Sequence, residues 1–418
     1  MRPPLPTAGV SFPHLVGRVF VPFACGYFLS YLFRTVNAVI AADLVQAVGL
    51  TAAQLGLLTS VYFLTFAACQ LPLGVLLDRY GPRRVEAALL LVAALGALLF
   101  GLGTRPETLV LGRALIGIGV SGCLMAAFKA FVLWFPAPQL PLVNGCIMAC
   151  GGLGALMATA PVEALLHLTS WRGLFLGLAG VTLAVAGLLF AAVPEHPAGR
   201  TTSGLAAEVR GVITVFRSHF FWRLAPITTL ANAALFSLQG LWAGPWLRDV
   251  AGLERQAVAT HLFVIAAALL CGYLALGALA SRLQRRGLPQ GLVVGGGLLV
   301  FLVVQGLLAY GVTAATAVLW GIFGFCGAAA ILPYALVSQH FPAALAGRAN
   351  TALNVLVFVA AFLCQYGMGA MIALWPPAAG GGYVLAAYRA SFGALLGLQA
   401  LAYLWMVWPR HDGTRRTR

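Results

Sequence analysis

Apolar residues dominate twelve stretches of the chain, 17–42, 51–77, 84–103, 108–134, 141–167, 171–193, 222–247, 257–281, 290–311, 314–338, 345–374 and 385–408, and polar residues gather between them. Spanning a hydrocarbon core of about 30 Å takes about 20 helical residues, so each stretch predicts one membrane-crossing helix. Most connections are too short to fold on their own. Residues 194–221 differ: they are polar, punctuated by Pro and Gly, and contain an amphipathic stretch at 203–217. The pattern predicts an all-α polytopic membrane protein with 12 transmembrane helices in two pseudo-symmetric six-helix bundles. The first bundle covers 1–193, a central loop covers 194–221, and the second bundle, with a short basic tail, covers 222–418.

Composition narrows the class. Hydrophobic residues make up 61% of the chain, charged residues only 8%, and mean hydropathy is +0.95. A soluble domain, a disordered chain and a nucleic-acid binder are excluded, despite a net charge of +15. That charge is nearly all arginine, Lys129 being the only lysine. With both termini assigned to the cytoplasm, seventeen arginines fall on the inner side and five (Arg105, Arg172, Arg248, Arg255 and Arg389) on the outer side, while Arg34, Arg113 and Lys129 lie within spans. The bias predicts that orientation, in a bacterial inner membrane, with the lipid bilayer as the partner of the basic loops. The first apolar run continues through Arg34 and reads as a retained span, not a cleaved leader. The eight cysteines lie in apolar stretches without a CxxC pair, and read as free thiols.

The chain also repeats itself. GVLLDRYGPRR, from Gly74, follows the second span, and GALASRLQRR, from Gly277, follows the eighth; Asp78 and Arg79 match Ser281 and Arg282. FPAPQLPLVN at 135–144 mirrors FPAALAGRAN at 341–350, setting Asn144 opposite Asn350. Two marks at nearly constant offset predict parallel six-span repeats.

Gly74, Asp78, Arg79, Gly81, Arg83 and Arg84 fit Gly-x-x-x-Asp-Arg-x-Gly-Arg-Arg, and Arg113, Gly117, Gly119 and Gly122 are similar to Arg-x-x-x-Gly-x-Gly. With the twelve spans and the central loop, the chain resembles the major facilitator superfamily of secondary transporters. The resemblance implies alternating access by rocking of two halves. It also implies a conformational latch: Gly74 allows close helix approach, and Asp78 meets an arginine and a helix end of the other half. Ser281, in the place of Asp78, weakens the second copy around Arg282. Arg79, Arg83 and Arg84 read equally as inside-positive anchors.

Arg34 is the sharpest single residue, because Tyr27, Ser30, Tyr31 and Asn37 share its helical stripe. It either binds an anionic substrate with its planar donor fork or snorkels towards Asp43. Lys129 either joins it at the cavity or snorkels to the inner interface. Arg113 and Glu163, on neighbouring spans, are expected to pair; Glu163, one turn from His167, is also the preferred carboxylate for proton coupling. The second half offers Asn232, Gln239 and Trp320 to the cavity, with Trp246 assigned to the interfacial belt. Asn144 and Asn350 read as helix caps. Cys123, Met125, Cys146, Met148 and Cys150 could hold Cu(I), or simply pack.

No nucleophile elbow, phosphate loop or HExxH is present, so neither an enzyme nor a cofactor is expected. The sequence reads as a monomeric secondary transporter for a small organic or inorganic anion, driven by a coupling ion such as a proton. The family's antiporter mark, Gly-Pro in the fifth span, is replaced by Ala160-Pro161, which favours uptake. Efflux of amphipathic compounds, metal import and a non-transporting sensor are the alternatives.

Overall fold

The structure is a computed structural model and describes residues 12–195, 205–378 and 381–408. Among these, every regular element is a helix. Eleven helices are long and apolar enough to cross a membrane, or twelve when a pair bent by 42° counts as one span. We number them α1 (Pro13–Thr35), α2 (Ala52–Tyr80), α3 (Pro82–Leu102), α4 (Pro106–Trp134), α5 (Leu142–Met157 with Ala160–Leu166), α6 (Trp171–Ala192), α7 (His219–Asp249), α8 (Arg255–Arg285), α9 (Gly291–Tyr310), α10 (Thr316–His340), α11 (Leu345–Ile372) and α12 (Leu385–Val407). Leucines such as Leu91, Leu274 and Leu401 stay exposed on the outer faces, as a lipid-facing surface requires.

Several spans are interrupted at depth. The first apolar run is not one helix: it turns at Val36 and resumes as Asn37–Val48. Thr35 donates its hydroxyl to the Tyr31 carbonyl (2.9 Å), a back-bond that bends helices. α4 turns at Val120–Gly122, α7 contains a π-helical turn at Leu238–Trp242, and α10 tightens to a 3₁₀ turn at Ala328–Ile331. Such irregular backbone survives in a membrane only where protein or a cavity covers it.

Close packing falls where side chains vanish. α8 and α10 cross so tightly that a Cβ on Gly272 would lie 2.3 Å from the Phe325 carbonyl oxygen, and one on Gly324 would lie 2.4 Å from that of Ile265. Between the halves, α2 runs along α11, bridged by Gln365 to Thr59 (2.6 Å) and Asn354 to Gln70 (3.1 Å). The expected amphipathic stretch contains a helix at Leu205–Phe216, whose Val212 and Val215 pack on Phe221, Leu224, Val337 and Leu353; residues 203 and 204 lie outside the described residues, as do both chain ends and their arginines.

Two glycine substitutions should therefore act oppositely. Gly324→Ala overpacks the α8–α10 crossing and is expected to destabilise by about 1–3 kcal/mol. Gly277→Ala meets nothing within 4 Å and should gain about 0.5–1 kcal/mol of helix preference. Melting temperatures of the purified variants in detergent test this ordering, and equal values would refute the close crossing.

Candidate functional site

The turn at Val36 leaves Arg34 at the end of α1, between the two bundles. The residue is only 7% exposed. Four rings surround its guanidinium carbon: Tyr31 (4.5 Å), Phe66 (5.5 Å), Phe236 (5.2 Å) and Phe358 (5.2 Å). The first two rings belong to α1 and α2, the others to α7 and α11. Among the described residues no acidic side chain pairs with Arg34, and its Nε has no hydrogen-bond partner. Ring faces attract the cation but accept none of its N–H donors in the plane. The Tyr62 hydroxyl is a polar contact of the guanidinium, so the site is a buried donor fork held in an aromatic box with one phenol beside it.

Neighbouring groups fix the backbone beneath it. Tyr62 donates its hydroxyl to the Ser30 carbonyl (3.2 Å), and Arg113 donates from Nη1 to the Phe33 carbonyl (2.9 Å), with Tyr62 under its guanidinium (5.2 Å). Tyr27 meets Tyr31 edge-to-face (5.1 Å) and donates to the Met148 sulfur (3.8 Å). From the other half, the π-helical turn carrying Gln239 packs on this region: a Cβ on Gly240 would lie 3.6 Å from the Arg34 carbonyl oxygen. Gln239 and Asn37 are buried with amide atoms unpartnered.

Other expected members of the site lie elsewhere. Asn232 donates from Nδ2 to the Thr228 (2.8 Å) and Ala330 (2.9 Å) carbonyls, stitching α7 to the break in α10. Trp320 packs edge-to-face on Trp246 (5.6 Å) and on Phe323 (5.3 Å) inside the second half. Trp246 is fully buried and so is no interfacial belt residue. Lys129 pairs with Asp78 rather than joining Arg34. Asn350 sits inside the helix Ala343–Ile372 and accepts from Ser338 (3.1 Å), and Asn144 lies inside Leu140–Met157; neither is a cap.

Arg113 and Glu163 do not pair either. Burial drives each to a nearer partner: Arg113 to the Phe33 carbonyl, Glu163 to Arg255 Nε (2.6 Å). Arg255, at the start of α8, also grips Asp43 through both terminal nitrogens (2.7 and 2.8 Å). This clamp joins the second half to two acids of the first, and it removes Asp43 as an outlet for Arg34. Beside it a Cβ on Gly244 would lie 2.4 Å from the Ala38 carbonyl oxygen, so the halves touch here too. A cavity of about 910 Å³, lined by Gln46, Thr51, Arg248, Asp249, Trp375 and Tyr383 among others, opens outside the clamp.

At the arginine-rich end lie the residues of the expected latch. Asp78 pairs with Lys129 of its own half. Arg84 pairs with Glu195, Arg83 lies over the Phe190 ring (4.7 Å) and Arg79 over Tyr80 (5.2 Å). Gly81 has φ +81°, a turn only glycine makes freely. Gly74 permits no close approach: a Cβ there meets nothing within 4 Å. Ser281 donates to the Gly277 carbonyl of its own helix (3.0 Å), beside Arg282. The lower segment of α4, Cys123–Trp134, makes its principal contacts within the first half, and that of α10, Leu332–His340, within the second. Contact between halves is therefore concentrated at the end opposite the arginines and along the α2–α11 seam.

Sequence reasoning passed over two residues. Arg255 was counted only as a loop arginine, and no sequence spacing links it to Asp43 and Glu163. Glu86, fully buried one turn into α3, had a visible signal as an acid inside an apolar run.

The family model described as Major Facilitator Superfamily matches residues 23–365. A probable sulfoacetate transporter of Cupriavidus necator is 32% identical over 158 residues, 38% of this chain and 36% of that protein. A nitrate/nitrite transporter of Picosynechococcus is 26% identical over 245 residues (51% and 45%), and an efflux pump of Hypomyces subiculosus 29% identical over 157 (37% and 28%). The matches thus span less than half the length of these relatives. A bacterial homologue of the human lysosomal transporter Spinster, solved inward-facing and unoccupied, superposes with a TM-score of 0.78 at 19% identity, over 95% of this chain and 97% of that one. Twelve-span architecture, the Gly74–Arg84 motif and a family match over most of the length lead to one conclusion: the chain belongs to the major facilitator superfamily of transporters.

Proposed function

We propose that the chain carries a small organic or inorganic anion across the bacterial inner membrane by alternating access, in the uptake direction and coupled to an ion, most simply a proton. The observation that carries this reading is Arg34. A guanidinium buried without a carboxylate is unfavourable by several kcal/mol unless something anionic completes it. The surrounding rings contribute about 2 kcal/mol each at a desolvated site, and they leave donors of the planar fork for a carboxylate, sulfonate or nitrate. The names of two relatives, for sulfoacetate and for nitrate/nitrite, are those of anion carriers and support the same class. The aromatic box and the efflux-pump relative favour a second reading, export of amphipathic compounds.

Thermal unfolding of the purified protein separates the two. Sulfoacetate, nitrate or a related anion should raise the melting temperature by mass action, and Arg34→Ala should abolish that rise while remaining folded. Arg34→Lys keeps the charge but loses the fork, and should weaken binding about tenfold or more. A rise with hydrophobic amines alone would favour export instead.

With the arginine-rich side taken as cytoplasmic, the Arg255 clamp closes the outer side, and Asp78–Lys129 holds the lower ends of α2 and α4 together within one half. Both termini are then inside, and the chain works as a monomer. In a background lacking the eight native cysteines, Arg255→Ala should raise the labelling of Ala38→Cys by an impermeant maleimide added outside. Unchanged labelling would mean that the outer side stays shut without the clamp.

A further inference from the structure

Glu86 is the buried acid that the anion site leaves unused. It is 0% exposed, one turn into α3 from Pro82. Neither carboxylate oxygen is accessible, and neither has a hydrogen-bond partner beyond the thiol of Cys123, a weak donor. α1 presents Gly26, whose Cβ would lie 3.1 Å from Oε1; α4 presents Gly122, whose Cβ would lie 2.9 Å from Oε2. α2 contributes Leu73, beside Gly122. Cys123 is the titratable group that faces Glu86. The charges on the helices around it are engaged elsewhere: Arg34 of α1 in its aromatic box, Arg113 of α4 on the Phe33 carbonyl, Lys129 of α4 with Asp78 of α2, and Arg172 of α6 on the Gly103 carbonyl (3.3 Å).

An ionised carboxylate enclosed this way, without a cation or a strong donor, is disfavoured by several kcal/mol, whereas the neutral acid escapes most of that penalty. Gly122 ends the turn that divides α4 and Cys123 begins the helix below it, so a change at that turn would open the wall against Glu86. Glu163, the other acid at depth, already has its counter-ion in Arg255.

We propose that Glu86 is the proton-binding residue of the transport cycle: it holds a proton in this conformation and releases it when the turn in α4 rearranges and admits water. On release the carboxyl O–H bond breaks, the proton passes to water, and the carboxylate remains; loading is the reverse. This inference rests on the reading of the chain as an ion-coupled anion transporter.

The test uses the full chain in proteoliposomes, as wild type, Glu86→Gln and Glu86→Asp, each checked for an intact melting transition. Infrared spectra need no substrate. At neutral pH the wild type should show the carbonyl stretch of a protonated carboxylic acid, Glu86→Gln should lack it, and Glu86→Asp should retain a shifted band. With sulfoacetate and nitrate as probes, wild-type uptake driven by an imposed pH gradient should be lost in Glu86→Gln, while exchange of anion for anion persists. An infrared spectrum unchanged by Glu86→Gln, or full pH-driven accumulation in that variant, would overturn the proposal. If the wild type moves neither anion, the anion reading fails, and the infrared band still decides the protonation of Glu86.

Discussion

A charge inside a membrane must find a partner within reach, and the placement of nearly every ionisable group in this structure follows from that constraint. Arg113 reaches the Phe33 carbonyl, Glu163 reaches Arg255, and Asp78 reaches Lys129. Asp249 collects Arg248 (2.7 Å), the Tyr383 amide (2.9 Å) and the Tyr388 hydroxyl (2.8 Å). Against that background two buried groups stand out. Arg34 has rings but no carboxylate, and Glu86 has glycines and a thiol but no cation. They sit on α1 and α3 without meeting. The same low dielectric that forces pairing elsewhere makes both groups responsive to whatever binds them, on the proposed reading an anion in one case and a proton in the other.

Breaks in the helices serve the same end. A straight span offers a side chain only one fixed surrounding. The turn at Val36 lets α1 end beside Arg34, and the π-helical turn in α7 brings Gln239 to the same level. The turn at Val120–Gly122 places the start of the lower α4 segment against Glu86. Each break exposes backbone groups that need covering. At α1 that cover comes from Tyr62 and Arg113, and at α10 from Asn232. Residues that a composition reading would offer to a substrate are in these cases securing the backbone beside it.

The pattern of apolar runs made the spans legible, because a bilayer imposes a length and a polarity that few other constraints imitate. Arg34 was legible for a related reason: a cation in the middle of an apolar run is unfavourable enough to announce itself. The same logic applies to Glu86, which lies inside the predicted span 84–103, one turn from Pro82. Partnerships were not legible. Spacing put Arg113 and Glu163 on neighbouring spans, yet direction around each helix decides contact, and Glu163 faces α8. Lys129 and Asp78 are far apart in sequence and meet only because α2 and α4 pack side by side. The glycine of a motif also need not pack closely: Gly74 is open on its Cβ side, while Gly119, with a Cβ position 2.3 Å from the Ala93 amide nitrogen, is not.

The two halves divide the chemistry unevenly. Arg34, Glu86, Arg113, Glu163 and the Asp78–Lys129 pair all belong to the first half; the second supplies the rings of Phe236 and Phe358, the amides of Gln239 and Gln365, and the clamp residue Arg255. In a rocking motion the second half would change what faces Arg34, Asp43 and Glu163, whereas Glu86 is enclosed by its own half and answers to the turn in α4. When the second half swings away at the clamp end, Arg255 withdraws from Asp43 and Glu163, and two acids become bare beside the path to Arg34. Bare acids repel an incoming anion and attract a cation or a proton. On the proposed reading of an ion-coupled anion carrier, an outer entrance that carries two negative charges when open is a poor route for a lone anion and a better one for an anion accompanied by a proton. The coupling of the two ions would then begin at the clamp.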